Sequence, residues 1–200
     1  MDKSLESNNT QIYQIKGISI KEKLFSIIRY SKLQTLNRTK LKPQILKIHM
    51  KYFAFGSNLN KEDLKQWCLE HRKKIPNLLN PEIMRLENYK IGFTRESARR
   101  GGGVADILES KGDYCYGIVF DVTEDDLEII DDKEWVKPDH QGAYERFYLS
   151  NDLVTYVANK KGEFFQPSDK YLNVIIEGAK NYGLPEEWIE KLECFKIQKD

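Results

Sequence analysis

Two apolar runs, Val104–Leu108 and Tyr114–Val122, flank a turn signal at Lys111-Gly112-Asp113. The second run feeds directly into Thr123-Glu124-Asp125-Asp126, a capping box that opens a helix reaching to about Glu134. Strand, turn, strand, then helix without a crossover is hard to fit into a doubly wound parallel sheet. The same habit recurs further on. Ala143–Leu149 and Leu153–Ala158 predict another hairpin, and Ser168 caps a helix with Leu172, Ile175, Ile176 and Ala179 on one face. Gly183 stops that helix and Pro185 starts the last one. Met84–Thr94 predicts a strand pair or one bent strand. The expected class is α+β.

Composition agrees with one such domain. The chain has 200 residues, 40% hydrophobic and 32% charged, with a net charge of +1. Residues 1–49 hold 10 Lys/Arg against 3 Asp/Glu, a net of +7, and the rest hold 22 against 28, a net of −6. A basic N-terminal extension, 1–49, therefore precedes a mildly acidic domain, 50–200. Within the extension, residues 20–36 predict a basic amphipathic helix suited to a membrane surface or to targeting, and a loosely ordered leader is the plainer reading. Its aromatic residues, Tyr13, Phe25 and Tyr30, are too few and too scattered for a nucleic-acid surface, so no nucleic-acid partner is expected. No run approaches the ~18 apolar residues of a membrane span, and no secretory signal is visible, so no stable membrane insertion is expected. Cys68, Cys115 and Cys194 stand at no metal or redox spacing, which reads as reduced thiols in a cytoplasmic protein.

The segment Lys51–Trp67, "KYFAFGSNLNKEDLKQW", leaves a short buried strand through Gly56-Ser57-Asn58 and enters a helix capped by Asn60. Gly56 allows a ligand to approach the backbone. Successive N–H groups at such a joint form a nest for a carboxylate or oxyanion, and the helix adds its positive end. An ordinary turn with an Asn cap satisfies the same residues. Leu127, Ile130 and Glu134 fall at i, i+3 and i+7, so Glu134 points inward with the apolar face. Burial, Asp131, Asp132 and the negative end of its own helix all favour its neutral form, which suits a general base near neutral pH. A helix-end glutamate that swings to solvent or pairs with a lysine is the plainer reading. Gly101–Gly103 lacks dinucleotide-fingerprint spacing, and Cys68 with His71 lacks a second ligand pair for a metal.

Taken in order, "YFAFGSN" at 52–58, "GGGVADI" at 101–107, "GDYCYGIVFDVTEDDLEIIDDKEW" at 112–135, "GAY" at 142–144 and "PSDKYLNVIIEGAKNYGLPEEW" at 167–188 resemble the gamma-glutamylcyclotransferases of the AIG2-like superfamily. The resemblance covers about residues 50–195. It implies a small closed β-barrel-like sheet with helices around it. It implies substrate contacts from Tyr52, Phe53, Ala54, Phe55, Gly56, Ser57 and Asn58, pocket walls from Tyr144 and Tyr171, and Glu134 as catalytic acid/base. The implied partner is a small γ-glutamyl compound, cyclised to 5-oxoproline with release of an amino acid or amine; neither metal nor cofactor is required. A homodimer is left open. Alternatives on the same scaffold are action on γ-glutamylamines or a biosynthetic γ-glutamyl intermediate, or a non-catalytic binding module. Phe55 stands where most members have Tyr, Trp135 replaces the glycine after the glutamate, and the stretch 135–143 is longer than in some relatives.

Overall fold

The computed structural model describes residues 11–13, 50–159 and 161–196. The strands are β1 (Gln11–Tyr13), β2 (Met50–Ala54), β3 (Leu79–Ser97), β4 (Gly102–Val122), β5 (Tyr144–Tyr148) and β6 (Leu153–Ala158). The helices are α1 (Lys61–Glu70), α2 (Glu124–Lys133), α3 (Asp169–Asn181) and α4 (Glu186–Glu193), with 3-10 turns at Ser57–Leu59 and Pro138–His140. The expected helix over 20–36 lies outside the described residues. None of the described helices is long and apolar enough to cross a membrane.

The sheet is mixed and ordered β1-β3-β4-β2-β6-β5. β2 lies antiparallel to β4 and parallel to β6, and β5 with β6 forms the expected hairpin. A short strand at Gln11–Tyr13, in a stretch whose sequence shows no period, runs parallel to β3 opposite Met84–Leu86.

The turn at Lys111-Gly112-Asp113 is not a hairpin turn. Both apolar runs belong to β4 and pair with β3, Tyr89 facing Glu109 and Glu87 facing Tyr114. Residues 110–113 thus stand opposite Asn88 as a wide bulge. Gly112 has φ +85 and donates its N–H to Asn88 Oδ1 at 3.1 Å, and the Ser110 hydroxyl donates to Asp113 at 2.6 Å. A bulge needs the same left-handed, self-bonding residues as a turn, so sequence composition alone does not separate them. The true β3–β4 turn is the glycine-rich stretch after Ser97, where Gly101 (φ +71) returns its N–H to Ser97 C=O at 2.9 Å.

The bulge bends the long hairpin over the sheet. The half of β4 beyond it pairs with β2, while the near half reaches back to the other edge. Asp106 on β4 accepts the Ala158 N–H at 2.9 Å, and Tyr89 on β3 meets Phe147 on β5 ring to ring at 6.5 Å. The barrel-like form is therefore closed by side chains. Among the described residues no ladder joins β5 to β1 or β3, a difference from the closed sheet expected.

The core fills this curl with Phe53, Phe93, Phe120, Leu127 and Ile130, all fully buried, and α3 and α4 add Leu172, Ile175 and Trp188. Gly178 lets α3 press on the 3-10 turn: a Cβ there would stand 2.6 Å from Leu59 C and 2.7 Å from Asn60 N. That close approach fixes the height of the Ser57–Leu59 turn against the helix layer.

Candidate active site

The turn that follows β2 and the end of α2 face each other across a cavity of about 180 Å³. That is small beside the several hundred Å³ typical of pockets for drug-sized ligands. Tyr52, Phe55, Gly56, Ser57, Asn58, Glu134, Tyr144 and Tyr171 all line it. Phe53 and Ala54 do not. Strand alternation turns Phe53 to the opposite face, where its ring would meet any Cβ at Gly117, and Ala54 is buried against the sheet.

The local structure explains the placement. Leu59 and Asn60 N–H bond back to Gly56 and Ser57 C=O at 3.0 Å each, making the 3-10 turn. The first N–H groups of such a turn have no acceptor within it, which opens those of Ser57 and Asn58 to a ligand. Asn60 caps α1, as expected. Asn60 Oδ1 accepts the Glu62 and Asp63 N–H groups at 3.1 Å each, so the side-chain cap takes up two of the donors at its positive end.

Glu134 caps the C-terminus of α2 and receives Asn58 Nδ2 at 2.9 Å. The same amide donates to the Tyr52 hydroxyl at 2.7 Å. Its carbonyl oxygen accepts from Lys133 Nζ at 2.6 Å, and Lys133 also donates to Ser57 Oγ at 3.1 Å. The lysine side chain is only 4% exposed and lies 3.8 Å from Asp63. Lys133 thereby fixes which way the Asn58 amide points. Burial lowers the lysine's proton affinity, and Glu134 and Asp63 oppose that loss. Asp131 and Asp132, expected to press on Glu134, are paired elsewhere: Asp131 with Arg146 and Asp132 with Lys73.

The tyrosines clamp β4. The Tyr171 hydroxyl accepts the Ala105 N–H at 3.1 Å, and the Tyr144 hydroxyl donates to the Ala105 C=O at 2.8 Å. Burial pushes Tyr171 up to about 12, and raises Tyr52 and Tyr144 as well. All three phenols therefore stay protonated as hydrogen-bond donors. Arg100 forms a two-pronged pair with Asp63 at 2.7 Å for each bond and lies 5.2 Å from the Tyr171 ring centre. Burial would raise Asp63, but the Arg100 bonds and Lys133 outweigh it and hold the carboxyl below its usual range. Arg99, Arg100, Trp67 and Tyr171 separate this cavity from a second one of about 410 Å³.

Sequence reasoning missed Lys133, Arg95 and the Asp63–Arg100 pair. A lysine in the last turn of a helix reads as complement to the dipole, so nothing in the local pattern marks Lys133 as buried. His71 stacks on Trp67 at 4.4 Å and bonds its carbonyl, which accounts for the Cys68/His71 spacing without a metal.

This fold is that of a known class. The model of the AIG2-like family matches residues 114–192. A mouse (Mus musculus) gamma-glutamylcyclotransferase is 30% identical over 162 residues, 72% of this chain and 78% of the relative, and a cattle (Bos taurus) one is 31% identical over 159 residues with the same coverage. A solved gamma-glutamyl cyclotransferase structure superposes with a TM-score of 0.61 at 27% identity, covering 76% of this chain and 90% of that one. The chain belongs to the gamma-glutamylcyclotransferase family.

Proposed function

We propose that the protein cyclises γ-glutamyl compounds to 5-oxoproline with release of an amino acid or amine. The observation that carries this reading is the Asn58 amide, locked by Lys133 and bridging Tyr52 and Glu134 at the edge of the open turn. It holds one oxygen of Glu134 and leaves the other to the cavity.

The substrate carries both reactants. Its α-amine must be freed of a proton before it can attack its own γ-carbonyl carbon. Glu134 takes that proton. The amine nitrogen bonds to the carbonyl carbon, and the carbonyl electrons move onto oxygen. Glu134 then returns the proton to the departing nitrogen as the old C–N bond breaks. The ring nitrogen gives up its second proton to finish as a lactam N–H, and the released amine picks one up from water. The N–H groups of Ser57 and Asn58 hold the substrate carboxylate or the developing oxyanion, and losing one such donor costs about 100-fold or more in rate. Tyr52, Tyr144 and Tyr171 shape the wall that folds an extended glutamyl chain into a ring-closing conformation. Phe55, buried against Phe53, contributes shape but no hydroxyl. The catalytic body is residues 50–200, with 1–49 as an extension, and the cytoplasm is the compartment its three free cysteines suit.

The test is 5-oxoproline release from γ-glutamyl dipeptides, γ-glutamylamines and glutathione, with Glu134→Gln alongside. Release that disappears in the variant, with an unchanged melting temperature, is the expected result. Equal turnover by the variant would sink the assignment.

A further inference from the structure

The residue after Glu134 holds a conformation that its type disfavours. Trp135 has φ +52, where the Cβ of an ordinary residue crowds the backbone. It sits just past the end of α2, where Trp135 N–H bonds Asp132 C=O at 3.3 Å and Val136 N–H bonds Asp131 C=O at 2.9 Å. This pair of bonds is a Schellman cap, whose left-handed position glycine fills without strain. Core packing does not explain the tryptophan either, because 53% of it is exposed. It does line the cavity, and backbone strain retained beside a reactive group points to use of the side chain.

Arg95 supplies an independent observation. It lies on β3 and lines the same cavity. Arg100 pairs with Asp63, Arg99 with Glu70, and Lys133 lies near Asp63. No carboxylate among the described residues pairs with Arg95, whose guanidinium lies 5.9 Å from the Tyr144 ring centre. An unpaired guanidinium on a cavity wall is a receptor for a carboxylate.

We propose that Trp135 and Arg95 form the subsite for the leaving half of the substrate, selecting γ-glutamyl compounds whose departing group is an α-amino acid with a large apolar side chain. The indole carries that side chain and the guanidinium its carboxylate. The glutamyl half is held by the 56–58 turn and Glu134, so the two halves are read by different residues. This assignment rests on the cyclisation proposed above.

The test compares kcat/KM for γ-glutamyl-phenylalanine, γ-glutamyl-alanine and γ-glutamyl-phenethylamine, the last lacking the leaving-group carboxylate. The full chain, Trp135→Gly, Trp135→Phe and Arg95→Gln are measured. Calorimetric binding of γ-glutamyl-phenylalanine is read in the Glu134→Gln background with the same three substitutions. The wild-type chain should prefer phenylalanine over alanine by about tenfold or more. Trp135→Gly should erase that preference, and Trp135→Phe should keep most of it. Arg95→Gln should lower kcat/KM for γ-glutamyl-phenylalanine about tenfold more than for γ-glutamyl-phenethylamine. Equal rates on phenylalanine and alanine, or the same proportional loss on all three compounds, would overturn the subsite. Absence of 5-oxoproline from every compound would instead remove the cyclisation reading. The binding arm then still decides the subsite: weaker binding in Trp135→Gly and Arg95→Gln sustains it, and unchanged binding removes it.

Discussion

Helix α2 carries two ionic networks within one turn of each other, and they are built to opposite ends. On one side Asp131 accepts two bonds from Arg146, at 2.8 and 2.6 Å, and one from the Tyr156 hydroxyl at 2.7 Å, and Arg146 continues to Glu124 at 2.5 Å. Each carboxylate oxygen of Asp131 and each terminal nitrogen of Arg146 has a partner. On the other side Lys133 and Tyr52 hold the Asn58 amide, and that amide alone bonds Glu134, at one of its oxygens. The first network is saturated and ties α2 to the β5–β6 hairpin. The second stops one bond short, at a cavity. Both join charged side chains to a buried tyrosine; what separates structural from chemical use is the bond left unmade.

The comparison breaks first at Glu134. Its replacement by Gln removes proton transfer and should lower kcat by about a thousandfold, within the usual range for a general acid–base group. Thermal melting should not move, because the amide can still accept from Asn58. Arg146→Met should do the reverse. Arg146 is 16% exposed and Asp131 23%, so stranding the carboxylate should cost about 2 kcal/mol of stability. Denaturant unfolding would show this, with kcat per folded molecule retained. If Arg146→Met instead abolished turnover at full stability, the division between the networks would be wrong.

Lys133→Met sharpens the contrast. Without the ammonium the Asn58 amide is free to flip, and kcat should fall about tenfold as Glu134 loses its fixed orientation. Trp135→Gly should add about 1 kcal/mol of stability by relieving the left-handed strain, read as a higher unfolding midpoint. A more stable protein that has lost substrate preference is the expected trade. The smallest effect is at Asp63. Its folded carboxyl titrates below its unfolded value, so its stabilisation is complete above pH about 4 and is lost as pH falls through the folded value. Asp63→Asn should flatten that acid limb of a melting-temperature profile and leave the neutral region nearly unchanged in slope.

Features set by a few neighbouring residues were legible in the sequence. The Asn60, Thr123 and Ser168 caps, the stop at Gly183 and the inward phase of Glu134 each follow from short-range rules. Two kinds of feature were not. The bulge at 110–113 has turn chemistry, and only the pairing partner, β3 rather than its own neighbour, tells them apart. Lys133 and Arg95 acquire their meaning from groups that the fold brings up from distant segments. A lysine at the end of a helix looks alike whether it meets water or Asn58.

The register of β2 has a consequence for how the molecule assembles. β3 and β4 meet their partners across a short turn, so that hairpin closes at little entropic cost. β2 is made before them, yet it pairs with β4 and β6, and the Thr155 hydroxyl that bonds Phe53 C=O lies 102 residues further along. During synthesis the strand that carries the reactive turn leaves the ribosome long before β6, its second neighbour in the sheet. Slow steps in refolding should therefore report on the docking of β2 against β6.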